Sequence, residues 1–285
     1  MKNWWLGFST TMIGLCIFIK YTLLMVWDKR NNRDPMKRLD TFRDAVFMHC
    51  YERLGITLKI EDNLGFIPNK PTITYGKHMD TMAIFCYYHS LRSTFPNRPI
   101  IVVAGKPKMK NLFGLVSRAV AAIDGIIIDR EKPEEAIEVI KRKAQTFNEP
   151  PIFVIFPEGH RATKKRIKET HEYLKSIGRS DLIKSYPHTQ APRSRGTHAL
   201  RSAIADPMCV RISCGFNVRN AYGTFSSHKL VNSEFLVQLE ETELPTDAQE
   251  LKTQLLEIDF PEMNRVVESH IGRREHADFL KSKAA

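Results

Sequence analysis

The chain has 285 residues, 42% hydrophobic and 26% charged, which is enough to bury the core of one large domain. A net charge of +11 points to anionic partners: nucleic acid, a phospholipid surface or a phosphorylated substrate. Five scattered cysteines with no C-x-x-C pair argue against a disulfide framework or a zinc site and favour a reducing compartment.

Trp4 to Trp27 is apolar apart from Lys20 and a few small polar residues. As a helix it would be roughly 36 Å long, the thickness of a bilayer core. Tryptophans at both ends suit the two membrane interfaces, and Lys29, Arg30, Arg33, Lys37 and Arg38 follow directly. No small-residue cleavage site is evident, so residues 1–38 read as a membrane anchor with a basic juxtamembrane segment. The positive-inside rule then puts residues 39–285 in the cytosol, on the endoplasmic reticulum or another internal membrane. Lys20 leaves three arrangements open: a span with a snorkelling lysine, a helix lying in the interface, or a re-entrant hairpin.

The body alternates strand and helix signals. Asp40 to Leu54 has a helical rhythm closed by Gly55, and Ile56–Ile60 and Thr72–Tyr75 read as short strands. Lys77, His78 and Asp80 then open an apolar helix running to about Leu91. A histidine beside a carboxylate is the usual pairing of a general base with its orienting acid. It is equally a helix cap next to a surface histidine. Pro99–Ala104 is a buried strand, followed by three lysines in Gly105-Lys-Pro-Lys-Met-Lys110 and a helix over Asn111–Ile123. Gly125-Ile-Ile-Ile-Asp-Arg130 is a third buried strand, ending in an acid and a base. A helix with Pro133 in its first turn follows.

The stretch Ile152-Phe-Val-Ile-Phe-Pro-Glu-Gly-His-Arg161 is central. Five β-branched or aromatic residues form a strand buried on both faces, and the chain must turn at Pro157-Glu-Gly159. Glu158 and Arg161 therefore sit just past the end of a buried strand, where ligands bind in open α/β sheets. A basic helix from Arg161 to Ile177 follows, closed by Gly178. Its charges read as a solvated face or as a surface for anionic lipid. Ala191-Pro-Arg-Ser-Arg-Gly196 is a turn before a helix over Ala199–Ile204. Strands are expected over Val210–Val218 and Glu234–Leu239, a capping-box helix from Thr246 to Gln249 and onward, and a last helix from Pro261. This order predicts an α/β fold: a central mixed, largely parallel sheet flanked by helices, behind an N-terminal membrane helix.

Four stretches in this order resemble the glycerolipid acyltransferase family, of the lysophosphatidic acid (1-acylglycerol-3-phosphate, PlsC-like) type. They are His78 with Asp80, Gly125–Arg130, Phe156-Pro-Glu-Gly159 with Arg161, and Ala191–Gly196. The helix over Glu172–Gly178 and the Pro-Arg-x-x-Gly form of the fourth are most similar to the lysocardiolipin branch. The motif-bearing core covers residues 71–204. One departure is clear: the family's first motif is H-x-x-x-x-D, and the fifth residue after His78 is Ala83. The nearest acid, Asp80, stands at H-x-D spacing, and residues two apart in a helix point away from each other.

The resemblance implies transfer of an acyl chain from acyl-CoA to the free hydroxyl of a lysophospholipid, in phospholipid synthesis or remodelling. It implies His78 as general base and Asp80 as the acid that orients it. Arg130, Arg161 and Arg193 would be the fork-shaped donors for the acceptor's phosphate, with Glu158 and Gly159 in the acceptor site. Lys106 and Lys108 would meet CoA phosphates. No cofactor or metal is required, and the partners are the two substrates and a phospholipid membrane. The H-x-D spacing keeps a second class open, a catalytically impaired acyltransferase fold that binds lipid. A nucleic-acid-binding protein has the charge but none of the motifs, and a serine hydrolase lacks a G-x-S-x-G elbow.

Overall fold

Seven strands form one sheet in the order β1-β7-β6-β2-β5-β3-β4. The computed structural model describes residues 2–78, 83–105, 113–129, 132–160, 162–219 and 227–284. The strands are β1 (Thr57–Asp62), β2 (Thr72–Gly76), β3 (Ile100–Gly105), β4 (Ile126–Ile128), β5 (Ile152–Ile155), β6 (Met208–Phe216) and β7 (Glu234–Thr242). Every pairing is parallel except β6 with β7, so the sheet is mixed and largely parallel, as expected. β2, β5 and β6 are buried throughout; β5 accordingly reads as a continuous apolar run, whereas β2 also buries Thr72 and Thr74 and β6 buries Arg211 and Ser213. β1 lies at an edge and alternates in exposure, with a Lys59–Glu61 ion pair that blunts the edge.

Helices cover both faces. On one side lie α1 (Lys2–Arg30), α2 (Pro35–Val46), α3 (Glu52–Leu54), α4 (Ala83–Thr94) and α5 (Phe113–Ala122). On the other lie α6 (Pro133–Ala144), α7 (Lys164–Ser176), α8 (Ser194–Ala203), α9 (Ala248–Gln254) and α10 (Phe260–Ala284). The period-2 geometry of the strands divides their side chains between the two cores. Ile152 and Val154 join the first with Phe42, Cys86 and Tyr87, whereas Phe153 and Ile155 join the second with Ile140, Leu200 and Leu251.

Several boundaries differ from the sequence reading. The helix expected over Asp40–Leu54 begins at Pro35, capped by the Asp34 carboxylate, and widens to i+5 hydrogen bonding over Phe47–Tyr51 before α3. Gly55 closes it in the left-handed conformation, as expected. The capping residue of α9 is Asp247 and not Thr246, because one Asp247 oxygen reaches the N–H groups of both Gln249 and Glu250 at 2.8 Å. Pro261 lies in the first turn of α10, which follows α9 through a second wide turn, Leu255–Asp259. α8 begins at Ser194, five residues before the expected start.

α1 lies along the body. Gly7 meets the main chain of His228 so closely that a methyl there would overlap it, and Met25 is fully buried. Leu6, Ile13, Ile17, Phe18 and Tyr21 pack on the first core. The hydroxyls of Thr10 and Thr11 bond to carbonyls one turn earlier in the same helix. Two of the basic residues after the apolar run are neutralised within the fold, Lys29 by Asp124 at 2.7 Å and Arg38 by buried Asp28 at 2.8 Å. The opposite side exposes Trp4, Phe8, Met12, Cys16, Lys20, Leu23 and Trp27, a stripe at helical spacing.

Candidate active site

The site forms where β2 and β5 end side by side. The chain leaves β2 at Gly76, runs through Lys77 and His78, and resumes as α4. It leaves β5 at Phe156 and turns through Pro157-Glu-Gly159, with Gly159 at a φ of 70°, a conformation that costs an L side chain about 1–2 kcal/mol. Because β5 returns between β3 and β2 while β6 continues on the far side of β2, this is where the strand order reverses. A ligand crevice is expected at such a point.

His78 is held by its main chain. Its N–H donates to Glu158 Oε2, and its carbonyl accepts from the Ala162 N–H at 3.1 Å. Its imidazole lies 4.9 Å from the Phe156 ring, and Tyr87 flanks Phe156 from the other side at 5.2 Å. These groups border a shallow concavity with no enclosed room for a water molecule, lined by Lys77, His78, Ala83, Ile84, Tyr87, Phe156 and Cys214. The lining is apolar apart from the histidine and the lysine. Ala83, the position at which the family motif has its acid, is part of that wall.

Glu158 is 1% exposed. Its second oxygen, Oε1, accepts the Gln190 N–H at 3.0 Å, so the carboxylate joins the His78 turn to the segment before Arg193. Burial pushes this carboxyl up to about 7, against the pull of the two N–H donors and of Lys77. Lys77 is likewise 1% exposed, and burial draws its ammonium down to about 8 while Cys214, Glu158 and Glu268 oppose the shift. Burial also pushes the Cys214 thiol up to about 12, so it stays protonated at neutral pH.

The fold therefore brings three of the four motifs together. The His78 turn rests on Glu158, and the Arg193 N–H donates to the Pro157 carbonyl at 2.9 Å, which fixes the fourth motif against the third. The Arg193 side chain is exposed. The second motif ends β4, three strands from β2 and so roughly 14 Å across the sheet. Asp80, Lys106, Lys108, Arg130 and Arg161 lie outside the described residues. Glu158, expected in the acceptor site, has both oxygens engaged by main-chain N–H groups and acts in the fold as a brace beneath the histidine. Sequence reasoning passed over Gln190 and gave Lys77 no role. The one signal for Lys77 was a lysine placed between an uncharged, β-branched strand and a histidine. Among the described residues, no group of three or more His, Cys, Asp or Glu is placed to hold a metal.

Fold and site together define an α/β protein with a histidine at the carboxyl end of a central strand, braced by a buried glutamate. The family model described as Acyltransferase matches residues 60–185, somewhat under half of the chain. Among solved structures, the fold is similar to that of PlsC, the 1-acyl-sn-glycerophosphate (LPA) acyltransferase from Thermotoga maritima. The TM-score is 0.53 at 14% identity, over 93% of this chain and 96% of that one. No curated protein matches. Residues 60–185 thus match an acyltransferase family model, and the fold is similar to that of PlsC.

Proposed function

We propose that the protein transfers an acyl chain from acyl-CoA to the free hydroxyl of a lysophospholipid, with lysophosphatidic acid or a related lysoglycerophospholipid as acceptor. The observation that carries this reading is the placement of His78: at the carboxyl end of a central strand, in the wall of a shallow concavity, on a turn fixed through both its N–H and its carbonyl. The imidazole takes the hydroxyl proton as the oxygen attacks the thioester carbonyl. The tetrahedral intermediate expels the CoA thiolate, which receives that proton back from the imidazolium. A direct attack fits this site, because the nearby thiol of Cys214 is held in its unreactive protonated form. Asp80 is the proposed orienting acid. Arg130, Arg161 and Arg193 are proposed to bind the acceptor's phosphate, and Lys106 and Lys108 those of CoA.

The exposed stripe of α1 supports seating at a membrane. One helix among the described residues, Asn3–Arg30, is long and apolar enough to cross a bilayer, with a mean hydropathy of 1.6. Its inner face packs on the body, and its outer face offers Trp4, Trp5 and Phe8 as an aromatic cluster with ring centroids 5.2–6.3 Å apart. A helix seated this way, lying in the interface, would hold the body at the membrane in which both acyl-bearing substrates reside. Lifting an acyl chain into water would cost about 0.8 kcal/mol per CH₂.

A second reading is a lipid-binding protein without turnover, favoured by Ala83 in place of the motif's acid. Labelled oleoyl-CoA offered with a panel of lysophospholipids to the membrane-embedded chain decides between them. Transfer by the wild type that is lost in His78→Ala supports the enzyme. Binding of acyl-CoA without product on any acceptor supports the second reading.

A further inference from the structure

Lys77 has no part in the chemistry proposed above, yet it is one of the largest fully buried side chains. Burying an ammonium costs several kcal/mol unless its surroundings repay it, and an apolar residue of similar length would avoid that cost. The surroundings are specific. Lys77 Nζ donates to Asn264 Oδ1 at 3.1 Å and to the Met263 carbonyl at 3.4 Å, both on α10. The Asn264 amide donates in turn to the Ser185 carbonyl at 2.8 Å and to Thr189 Oγ1 at 2.9 Å. The residue after Thr189 is Gln190, whose N–H bonds Glu158, and Glu158 accepts the His78 N–H. The circuit closes on itself: Lys77, Asn264, Thr189, Gln190, Glu158, His78 and back to Lys77 through one peptide bond.

α10 needs none of this to stay in place. Phe260 and Met263 already bury fully in the second core, and Val267 and Ile271 further along the helix are fully buried as well. The polar circuit therefore adds position more than adhesion, and what it positions is the His78 turn. Cutting it at any member leaves buried donors or acceptors unpaired in a network whose two ends, Lys77 and Glu158, adjoin the main chain of His78.

We propose that Lys77 and Asn264 are positioning residues, a clamp through which α10 sets the place of the His78 turn. The transfer reaction then depends on a helix that lies wholly outside the matched segment 60–185. The kinetic part of this rests on the acyl-transfer reading; the mechanical part does not.

The test uses the full chain in detergent micelles and three variants: Thr189→Val, which is nearly isosteric, Asn264→Leu and Lys77→Met. Hydrogen exchange at the His78 amide reports the turn directly. The expected result is exchange about tenfold faster at His78 in Thr189→Val and Asn264→Leu, with the amides of β2 and β5 as protected as in wild type. In the transfer assay kcat falls about tenfold with KM for both substrates within about twofold. The Lys77→Met, Asn264→Leu double variant is no slower than the slower single, because both cut one circuit. Unchanged exchange at His78, a kcat loss that follows global unfolding, or losses that multiply in the double variant would each overturn the clamp. If the wild type transfers nothing, the functional reading fails while the exchange data still decide this one. Lys77→Met carries the greatest folding risk because it strands the charge of Glu158, and Thr189→Val keeps the test open if it misfolds.

Discussion

Glu158→Gln should invert the pH dependence of stability around neutrality. The Glu158 carboxyl titrates near 4.5 in the unfolded chain and near 7 in the fold, where burial disfavours its charge. Between those values the folded protein holds a proton that the unfolded chain has released, so stability falls as pH rises through that window. The slope is about 1.4 kcal/mol per pH unit, and the fall totals about 3 kcal/mol. Glutamine cannot ionise and removes this fall. It also presents an amide NH₂ to one of the two main-chain N–H groups that Glu158 now satisfies, at a cost of about 1–3 kcal/mol at every pH. Lys77 reinforces the trend: without the charge of Glu158 to hold its proton, it releases it at lower pH in the variant, which favours the folded variant further as pH rises. The variant should thus be about 1–2 kcal/mol less stable than wild type at pH 5, and level with it or above it at pH 8. Urea unfolding of the full chain, followed by far-ultraviolet circular dichroism, measures this. Tryptophan fluorescence is unsuitable because all three tryptophans lie in α1. A difference between the two proteins that stays constant from pH 5 to pH 8, or grows against the variant, would refute the assignment of a buried ionising carboxylate. Acyl transfer by the variant should fall at both pH values, since a brace under His78 is lost even where stability is gained.

Gly76→Ala should weaken the strand that delivers His78, because its Cβ would lie 2.8 Å from the Ile212 carbonyl oxygen and 3.1 Å from Tyr87. Neighbouring main chain cannot yield as a flexible side chain would, and a loss of about 1–3 kcal/mol should lower the Tm by roughly 5 °C in calorimetry. Arg211→Met should cost about 3–5 kcal/mol in the same measurement, because Asp259, 1% exposed, loses its cation at 3.0 Å and keeps only Tyr75 and Gln254. Adding Asp259→Asn should recover most of that loss; failure to recover it would show that the cation's role is packing. Changing Trp4, Phe8 and Met12 together to serine should reduce sedimentation with anionic vesicles at least tenfold while leaving the circular dichroism spectrum intact. Undiminished binding would place the membrane contact elsewhere, for instance on the basic face of α7.

Three central strands were legible because their runs carry no charge and are rich in β-branched and aromatic residues, as burial on both faces favours. Thr72–Tyr75, Pro99–Ala104 and Ile152–Phe156 lie within a residue or two of β2, β3 and β5. Their order in the sheet was not legible. Nothing in the residues of β7 says that it runs antiparallel to β6 and also carries β1 at the edge. His78 and Glu158 were visible as motif residues, but their hydrogen bond spans 80 residues and depends on β2 and β5 ending together. Lys77 reads in the sequence only as part of the polar cluster that opens α4. Its burial is set by α10, whose Asn264 sits 187 residues away and carries no motif. Helix ends were missed where a neighbouring residue caps better, as Asp247 does in place of Thr246.

The docking of α1 also bears on how the chain is made. Its partners in the fold include α5 and residues 227–229, the latter about 200 residues further along. At translation rates of roughly 5–20 residues per second, a finished apolar helix waits for roughly 10–40 s before the backbone of His228 exists to receive Gly7. For that interval both of its faces are unsatisfied, the inner one as well as the exposed stripe. Whatever shelters the helix during synthesis, a bilayer or a chaperone, must later release one face to the body while it can keep the other. The order in which the ribosome delivers these pieces therefore makes sheltering of the helix the first event and completion of the body the second.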